Sequence, residues 1–315
     1  MARAMQRWAI AIASSPLATS LVVFAFGLVV AILAGSYLEA SQRREQIRRF
    51  DDLAQRAAGQ LQARMHTYVY GLRGARGAII AAGVDDLSRS GFRDYIASRE
   101  LKSEFPGARG YGFIRRVRPG QEADFLRRAR ADGWPDFRIR TLAPHDGDRW
   151  VIQYIEPEAG NTPAVGLDIA SEPIRQRALQ AAIANNAPTL TEPVTLVQAD
   201  GKVNHGFLIV LPVFASGRSP ASPEARAHEV AGLAYVPLLI DEVLETFDFR
   251  GDEFAMTIHA GTASAKARPF YASREAARPA AMNLVRRVPV TLYGQVWQVE
   301  FRARPAIAAR AQVGA

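Results

Sequence analysis

The sequence predicts an α/β chain of the α+β kind: an N-terminal membrane-spanning helix, a long stalk helix, and two tandem modules built on antiparallel sheets. Three observations carry that prediction. No side chain from Ala9 to Leu38 is charged. From Glu39 to Ile80 there is no proline and helix formers dominate. Beyond that, alternating runs and helical spacings succeed one another twice, on either side of the Ser-, Pro- and Ala-rich stretch Ala215–His228.

The first element is the expected span, residues 17–38, whose core reads LATSLVVFAFGLVVAILAGSY from Leu17 to Tyr37. A helix needs about 20 apolar residues to cross the hydrocarbon of a bilayer, and this stretch has them. A secretory signal core is only about 7–15 residues long, and no small-residue cleavage site follows here, so the segment reads as an uncleaved anchor. Charge does not orient it. Arg3 and Arg7 precede the span, while Arg43, Arg44, Arg48 and Arg49 follow it, offset by Glu39, Glu45, Asp51 and Asp52.

The second element, residues 39–80, carries an apolar seam at Ile47, Phe50, Ala54, Ala57, Leu61, Tyr68 and Ala75 that follows a seven-residue repeat, interrupted by Arg64 and Gly71. Such a seam suits a stalk pairing with its twin in a homodimer. The alternative is a single helix packed on its own domain, and the pairing reading is preferred.

After the stalk, Ser90–Ser98 and Gln121–Ala131 have helical spacing, while Arg109–Val117, Phe137–Leu142 and Trp150–Glu156 read as strands. Ser171 is placed to cap a helix over Glu172–Asn185, with Ile174, Ala178, Ala181 and Ala182 as its apolar stripe. Val194–Gln198 and Gly206–Phe214 read as a hairpin around Asp200-Gly201. The smaller repeat follows: a strand at Glu229–Val236, a helix at Pro237–Phe247, and strands near Phe254–Ala260, Leu284–Leu292 and Gln295–Arg302. These readings divide the folded region into modules at residues 81–215 and 216–304, with tails at 1–16 and 305–315.

Composition narrows function. Apolar residues are 49% and charged residues 22% of 315, the mix of a chain with a real core. There is no cysteine, which removes thiol catalysis, disulfides and cysteine-ligated zinc. The net charge of +8 is almost wholly arginine, scattered among acids without interleaved aromatics. It reads as a solvated surface, so no nucleic-acid partner is expected. His66, His145, His205, His228 and His259 lack ligand spacing, and no phosphate loop, nucleophile elbow or kinase motif is present. No catalytic residue, metal or cofactor is therefore assigned. Arg250-Gly251-Asp252-Glu253-Phe254 looks like the GGDEF signature of diguanylate cyclases, but it lacks the first glycine and the upstream nucleotide-binding region, and is read as chance. Asp168 and Glu172 are read as a turn residue and a helix-start acid.

Several motifs stand in order along the chain: FPGARGYGF (Phe105–Phe113), YIEP (Tyr154–Pro157), Gly160-Asn161, GLDIASEP (Gly166–Pro173), Arg177-Ala178-Leu179, LTEP (Leu190–Pro193) and the run from Gly206-Phe207-Leu208 to Pro212-Val213-Phe214. Together they resemble the CHASE family, the extracellular sensor domain of bacterial receptor kinases and cyclases and of plant cytokinin receptors. The resemblance implies a stalk helix leading to a membrane-distal and a membrane-proximal PAS-like module, 81–215 and 216–304 respectively. It also implies a dimer at a bacterial inner membrane, a small ligand in the distal module, and a folded region outside the cytoplasm. A second spanning helix and an output domain normally follow, so the chain is expected to be a fragment of a sensor histidine kinase or diguanylate cyclase. The alternative function is a ligand-independent module that holds two receptor chains together.

The ligand pocket is expected in the distal module. Period-2 alternation puts Ile152, Tyr154 and Glu156 on one face of their strand. Phe113, Phe207 and Ile209 supply apolar wall, with Leu211 beside them. Thr191 and Leu196 come from the segment that lines the hormone pocket in similar plant receptors, and Thr191 matches that family's LT-x-P threonine. Tyr154, Glu156 and Thr191 are the polar candidates. The acid that anchors the hormone in the plant receptors has no clear match at Glu156–Gly160, so a cytokinin ligand is not expected.

Overall fold

A computed structural model of the chain describes residues 16–196, 205–245, 247, 253–261, 268–277 and 284–304. The expected tails, most of the GGDEF-like segment and the Asp200-Gly201 turn lie outside them. The described residues divide into two units at Leu53/Ala54, the second carrying both sheets.

One helix, α1, runs from Pro16 to Ala82. Its apolar beginning is long enough to cross a membrane and wholly exposed, with Leu21, Phe24, Phe26, Ile32 and Leu33 uncovered. Exposure of that many apolar side chains is costly in water and costs nothing in lipid. Farther along, within the second unit, the seam turns inward: Ala54, Ala57, Leu61, Tyr68 and Ala75 are all buried in the single chain. The Tyr68 hydroxyl donates to the Pro106 carbonyl at 2.5 Å, and the Tyr111 hydroxyl donates to the Tyr68 carbonyl at 3.2 Å. The seam over Ala54–Ala75 therefore packs on the chain's own domain and leaves no free stripe there for a twin, which corrects the preferred sequence reading.

After α1 come α2 (Arg89–Ala97), α3 (Leu101–Glu104), β1 (Tyr111–Val117), α4 (Glu122–Ala131), β2 (Arg149–Glu156), α5 (Pro173–Asn185), β3 (Thr189–Leu190), β4 (Val194–Thr195), β5 (His205–Phe214), α6 (Pro223–Glu229) and β6 (Val230–Leu239). Their strands form one antiparallel sheet in the order β2-β1-β6-β5-β3, with β4 also on β5. After α7 (Ile240–Glu245), β7 (Phe254–Ala260), β8 (Tyr271–Ala272), β9 (Val285–Leu292) and β10 (Gln295–Ala303) form a second sheet, order β8-β7-β10-β9. Both sheets place the first strand of the module at the centre beside its last, the arrangement of a PAS-like fold.

Several expectations are revised. Phe137–Leu142 is not a strand; it makes one bridge, Arg140 to Leu167. The helix of Pro173–Asn185 is capped by the Glu172 carboxylate, which accepts from Ile174 N and Arg175 N at 3.0 Å each. Ser171 instead accepts from Leu142 N and donates to the Asp168 carbonyl.

The stretch Ala215–His228 is not an inter-module linker. Ser222 caps α6 within it, and the chain then returns as β6 to lie between β1 and β5. Pro237, expected to open a helix, sits inside β6 opposite Leu208, and its carbonyl accepts from Arg109 N at 3.1 Å. The first sheet therefore ends at Leu239, and the passage to the second sheet follows α7 rather than Phe214.

Candidate functional site

The first sheet buries both faces. On one, Ile114, Leu208, Val210, Leu233 and Tyr235 follow the pairing register, and a core of these side chains joins α4, α5 and the turns Thr162–Ala164 and Ile169–Ser171. On the other, Tyr111 meets α1, and Tyr154 stacks on Phe92 of α2 at 5.9 Å between ring centroids.

The eight sequence-predicted pocket residues fall in different places. A bulge between Phe113 and Ile114 pairs Phe113 with Tyr154 but Ile114 with Ile152, so Ile152 and Tyr154 point to opposite faces. The strict alternation expected of Trp150–Glu156 therefore fails at Gln153. Tyr154, Glu156 and Phe113 share the helix α1/α2 face, whereas Ile152 belongs to the α5-side core, as does Leu196, whose side chain lies over Gly206. Phe207 and Ile209 point away from that core. Phe207 packs with Phe270 and Trp297 of the second module, at 5.1 and 4.9 Å. Thr191 is buried at the end of β3, where its hydroxyl oxygen accepts from Leu208 N at 3.0 Å and its own N–H donates to the Leu208 carbonyl at 2.9 Å. The eight residues are therefore divided among the two faces of the first sheet and the layer between the two sheets.

Tyr154 and Glu156 join a polar cluster. The Tyr154 hydroxyl donates to Asp132 Oδ2 at 2.7 Å or to the Leu87 carbonyl at 2.9 Å. Burial pushes this phenol well up, and Asp132 adds to the shift. Glu156 accepts from Arg93 Nε at 3.3 Å and Glu158 N at 3.2 Å. Its carboxyl lies above the ordinary range because burial and then Glu158 oppose ionisation more strongly than Arg93 favours it. A cavity of about 190 Å³ beside this cluster is lined by Asp85, Asp86, Arg115, Arg128, Asp132 and Tyr154 among others, too polar and ion-paired for an apolar ligand wall.

The α5-side core holds polar groups that sequence reasoning missed. Arg175 is 3% exposed. Its Nη2 donates to the Thr195 carbonyl at 2.8 Å, while Nε and Nη1 have no partner among the described residues. The Tyr235 hydroxyl, wholly buried, has none either. The ring of Tyr235 lies against Gly112, where any Cβ would overlap it. Burial lowers the guanidinium's pKa and raises that of the phenol, and each group feels the other. One sequence signal could have exposed the site: Arg175 recurs with Ala178, Leu179 and Ala182 at helical spacing, a charge inside a buried stripe.

Asp168, also fully buried, is by contrast fully used. Its carboxylate accepts from Trp150 N at 2.9 Å and Ala170 N at 3.1 Å, and lies 2.6 Å from His145 Nε2. It pins the turn that leads into α5. Among the described residues no cluster of His, Cys, Asp or Glu is arranged to hold a metal.

The chain thus joins a helix long and apolar enough to cross a membrane to two antiparallel sheet modules of PAS-like kind. The family described as the CHASE domain matches residues 85–271, and the chain belongs to it. That is a sensory, non-catalytic domain. No curated protein matches. Among solved structures, an extracellular ligand binding receptor from Desulfohalobium retbaense is similar over 80% of this chain, at 12% identity and a TM-score of 0.51. This chain spans 40% of that receptor's length, and the likeness is one of fold. A methyl-accepting chemotaxis protein X is 10% identical with a TM-score of 0.47, covering 80% of this chain and 95% of its own. The periplasmic sensory domain of the Campylobacter jejuni chemoreceptor Tlp1 is 11% identical with a TM-score of 0.44, covering 82% and 94%.

Proposed function

We propose that this chain is the extracytoplasmic small-ligand sensor region of a transmembrane receptor, a sensor histidine kinase or diguanylate cyclase. It is anchored in the inner membrane by the start of α1, with the first module membrane-distal and the second proximal. The ligand lies in the first module on the α5 side of the sheet, with Ile152 and Leu196 kept from the sequence prediction as wall. The receptor works as a homodimer through the exposed side of α1.

The observation that carries this reading is a path from the edge of that module back to α1. Leu190 N donates to the Tyr293 carbonyl at 2.9 Å, and Gln295 Nε2 donates to the Leu190 carbonyl at 3.3 Å. The Tyr293 hydroxyl in turn lies 2.6 Å from Nδ1 of His66 on α1, with the two rings edge-on at 5.5 Å. The LT-x-P segment beside β4 thus touches the β9–β10 hairpin, and the hairpin touches the stalk helix. A ligand that binds two arrangements of this path unequally shifts the population between them. Ligand-independent assembly through the seam is the weaker reading, because that seam is buried at Ala54–Ala75. The test is whether a compound that raises the melting temperature also moves a probe on α1.

A further inference from the structure

Resting on the sensor reading, we infer that the ligand is a small organic monocarboxylate, held inside the first module by the Arg175 guanidinium and the Tyr235 hydroxyl.

The inference starts from donors without acceptors. Arginine keeps its proton in proteins, so Arg175 carries its charge into the core. A guanidinium has five N–H donors, and the contact to the Thr195 carbonyl uses one. Nε and Nη1 remain unmatched among the described residues. The Glu172 carboxylate, whose charge acts on Arg175, is committed to the helix start, accepting from Ile174 N and Arg175 N. A buried charge left in that state is strongly destabilising unless something supplies the missing acceptors. Tyr235 repeats the pattern: a wholly buried O–H with no acceptor among the described residues, its ring set against Gly112 in the core on the α5 side of the sheet.

Both free groups are donors, so their common partner is an acceptor. One positive charge with one neutral hydroxyl balances a monoanion; a dianionic phosphate would leave negative charge buried. The surroundings are apolar, with Leu196 folded over Gly206 and Leu208, Leu239 and Ile155 in the same core. A carboxylate on an apolar body satisfies both the donors and the walls, and charge-assisted bonds to it are short and strong.

The test uses the full-length chain in detergent at neutral pH. Thermal unfolding is followed with butyrate and benzoate, with the neutral isosteres butyramide and benzamide, and with inorganic phosphate. The acids are expected to raise the midpoint with concentration, and the amides and phosphate are not. Arg175→Met should abolish the rise with acid while leaving the ligand-free midpoint unchanged or higher, because an unpaired buried charge has gone. Arg175→Lys should keep part of the rise, and Tyr235→Phe should weaken apparent affinity about tenfold. Three results would overturn the inference: amides or phosphate acting as well as the acids, no rise with either acid, or a ligand-free midpoint that drops in Arg175→Met as far as the acid-bound one. The first two leave the sensor reading standing, since a compound of another chemical class can still move the probe on α1. The third makes Arg175 a structural strut.

Discussion

Replacing Gly71 by alanine should loosen α1 from the first sheet, although glycine to alanine normally favours a helix. A Cβ at Gly71 would overlap the Tyr111 hydroxyl and ring and come within 2.9 Å of the Phe105 ring. Tyr111 has no room to withdraw. It is 1% exposed, lies edge-on to Phe105 at 5.1 Å, and donates its hydroxyl hydrogen to the Tyr68 carbonyl. The gain in helix propensity is about 1 kcal/mol. Overpacking costs about 1–3 kcal/mol, and a buried hydroxyl forced off its partner about 1–3 kcal/mol more. The net expectation is a loss of about 1–5 kcal/mol, which for a domain of this size lowers the melting temperature by about 2–4 °C per kcal/mol.

Gly77 is the internal control. It lies in the same helix with nothing near its absent Cβ, so Gly77→Ala should instead gain up to about 1 kcal/mol. Combining Gly71→Ala with Tyr111→Phe removes the clashing oxygen, so the pair should be more stable than the sum of the single changes by about 1 kcal/mol or more. Denaturant unfolding followed by far-ultraviolet circular dichroism measures all four variants. If Gly71→Ala proves as stable as Gly77→Ala, the packing of α1 on Tyr111 is wrong.

Phe207→Ala should remove the centre of the Phe207–Phe270–Trp297 trio and cost about 3–5 kcal/mol in the same unfolding assay; a cost below about 1 kcal/mol would mean the two sheets do not meet through it. Glu156 has a raised folded pKa, so its contribution to stability is fully present below the unfolded value of about 4.3 and is lost as pH rises through the folded one. Glu156→Gln should flatten that part of the stability–pH curve, and an unchanged slope would show that the carboxyl is not held against ionisation.

Much of this architecture was legible because local signals and tertiary packing agreed. The apolar run before Leu38, the proline-free stalk and the strands around Phe113 and Trp150 all lie where periodicity put them. The departures have identifiable causes. A bulge at Gln153 breaks period 2, which no residue there announces, and that one step splits Ile152 from Tyr154. Pro237 is as compatible with a helix start as with a strand whose carbonyl serves Arg109, and the pairing with Leu208 decides for the strand. The Ser/Pro/Ala-rich stretch looked like a linker because composition reports exposure, not which strand the chain rejoins afterwards. The seam at Ala54–Ala75 was correctly apolar, yet apolarity does not say whether a twin or the chain's own sheet covers it. Arg175 is hidden for a similar reason. One charge among apolar neighbours on a helix is easily assigned to solvent, and only the burial of its helix face shows where it points.

The central claim, that ligand binding outside the cell is felt by the stalk, can be tested with one label. The chain has no cysteine, and Tyr70 is exposed on α1, so Tyr70→Cys offers a unique attachment point. A membrane-impermeant maleimide should reach it in intact cells whose outer membrane has been opened. After purification and reconstitution in lipid nanodiscs, a spin label at that position should change its spectrum when a compound that raises the melting temperature is added. The change should be lost with Tyr293→Phe, which removes the hydroxyl that meets His66. Labelling only after the inner membrane is broken, or a stabilising ligand that leaves the spectrum unmoved, would contradict the account.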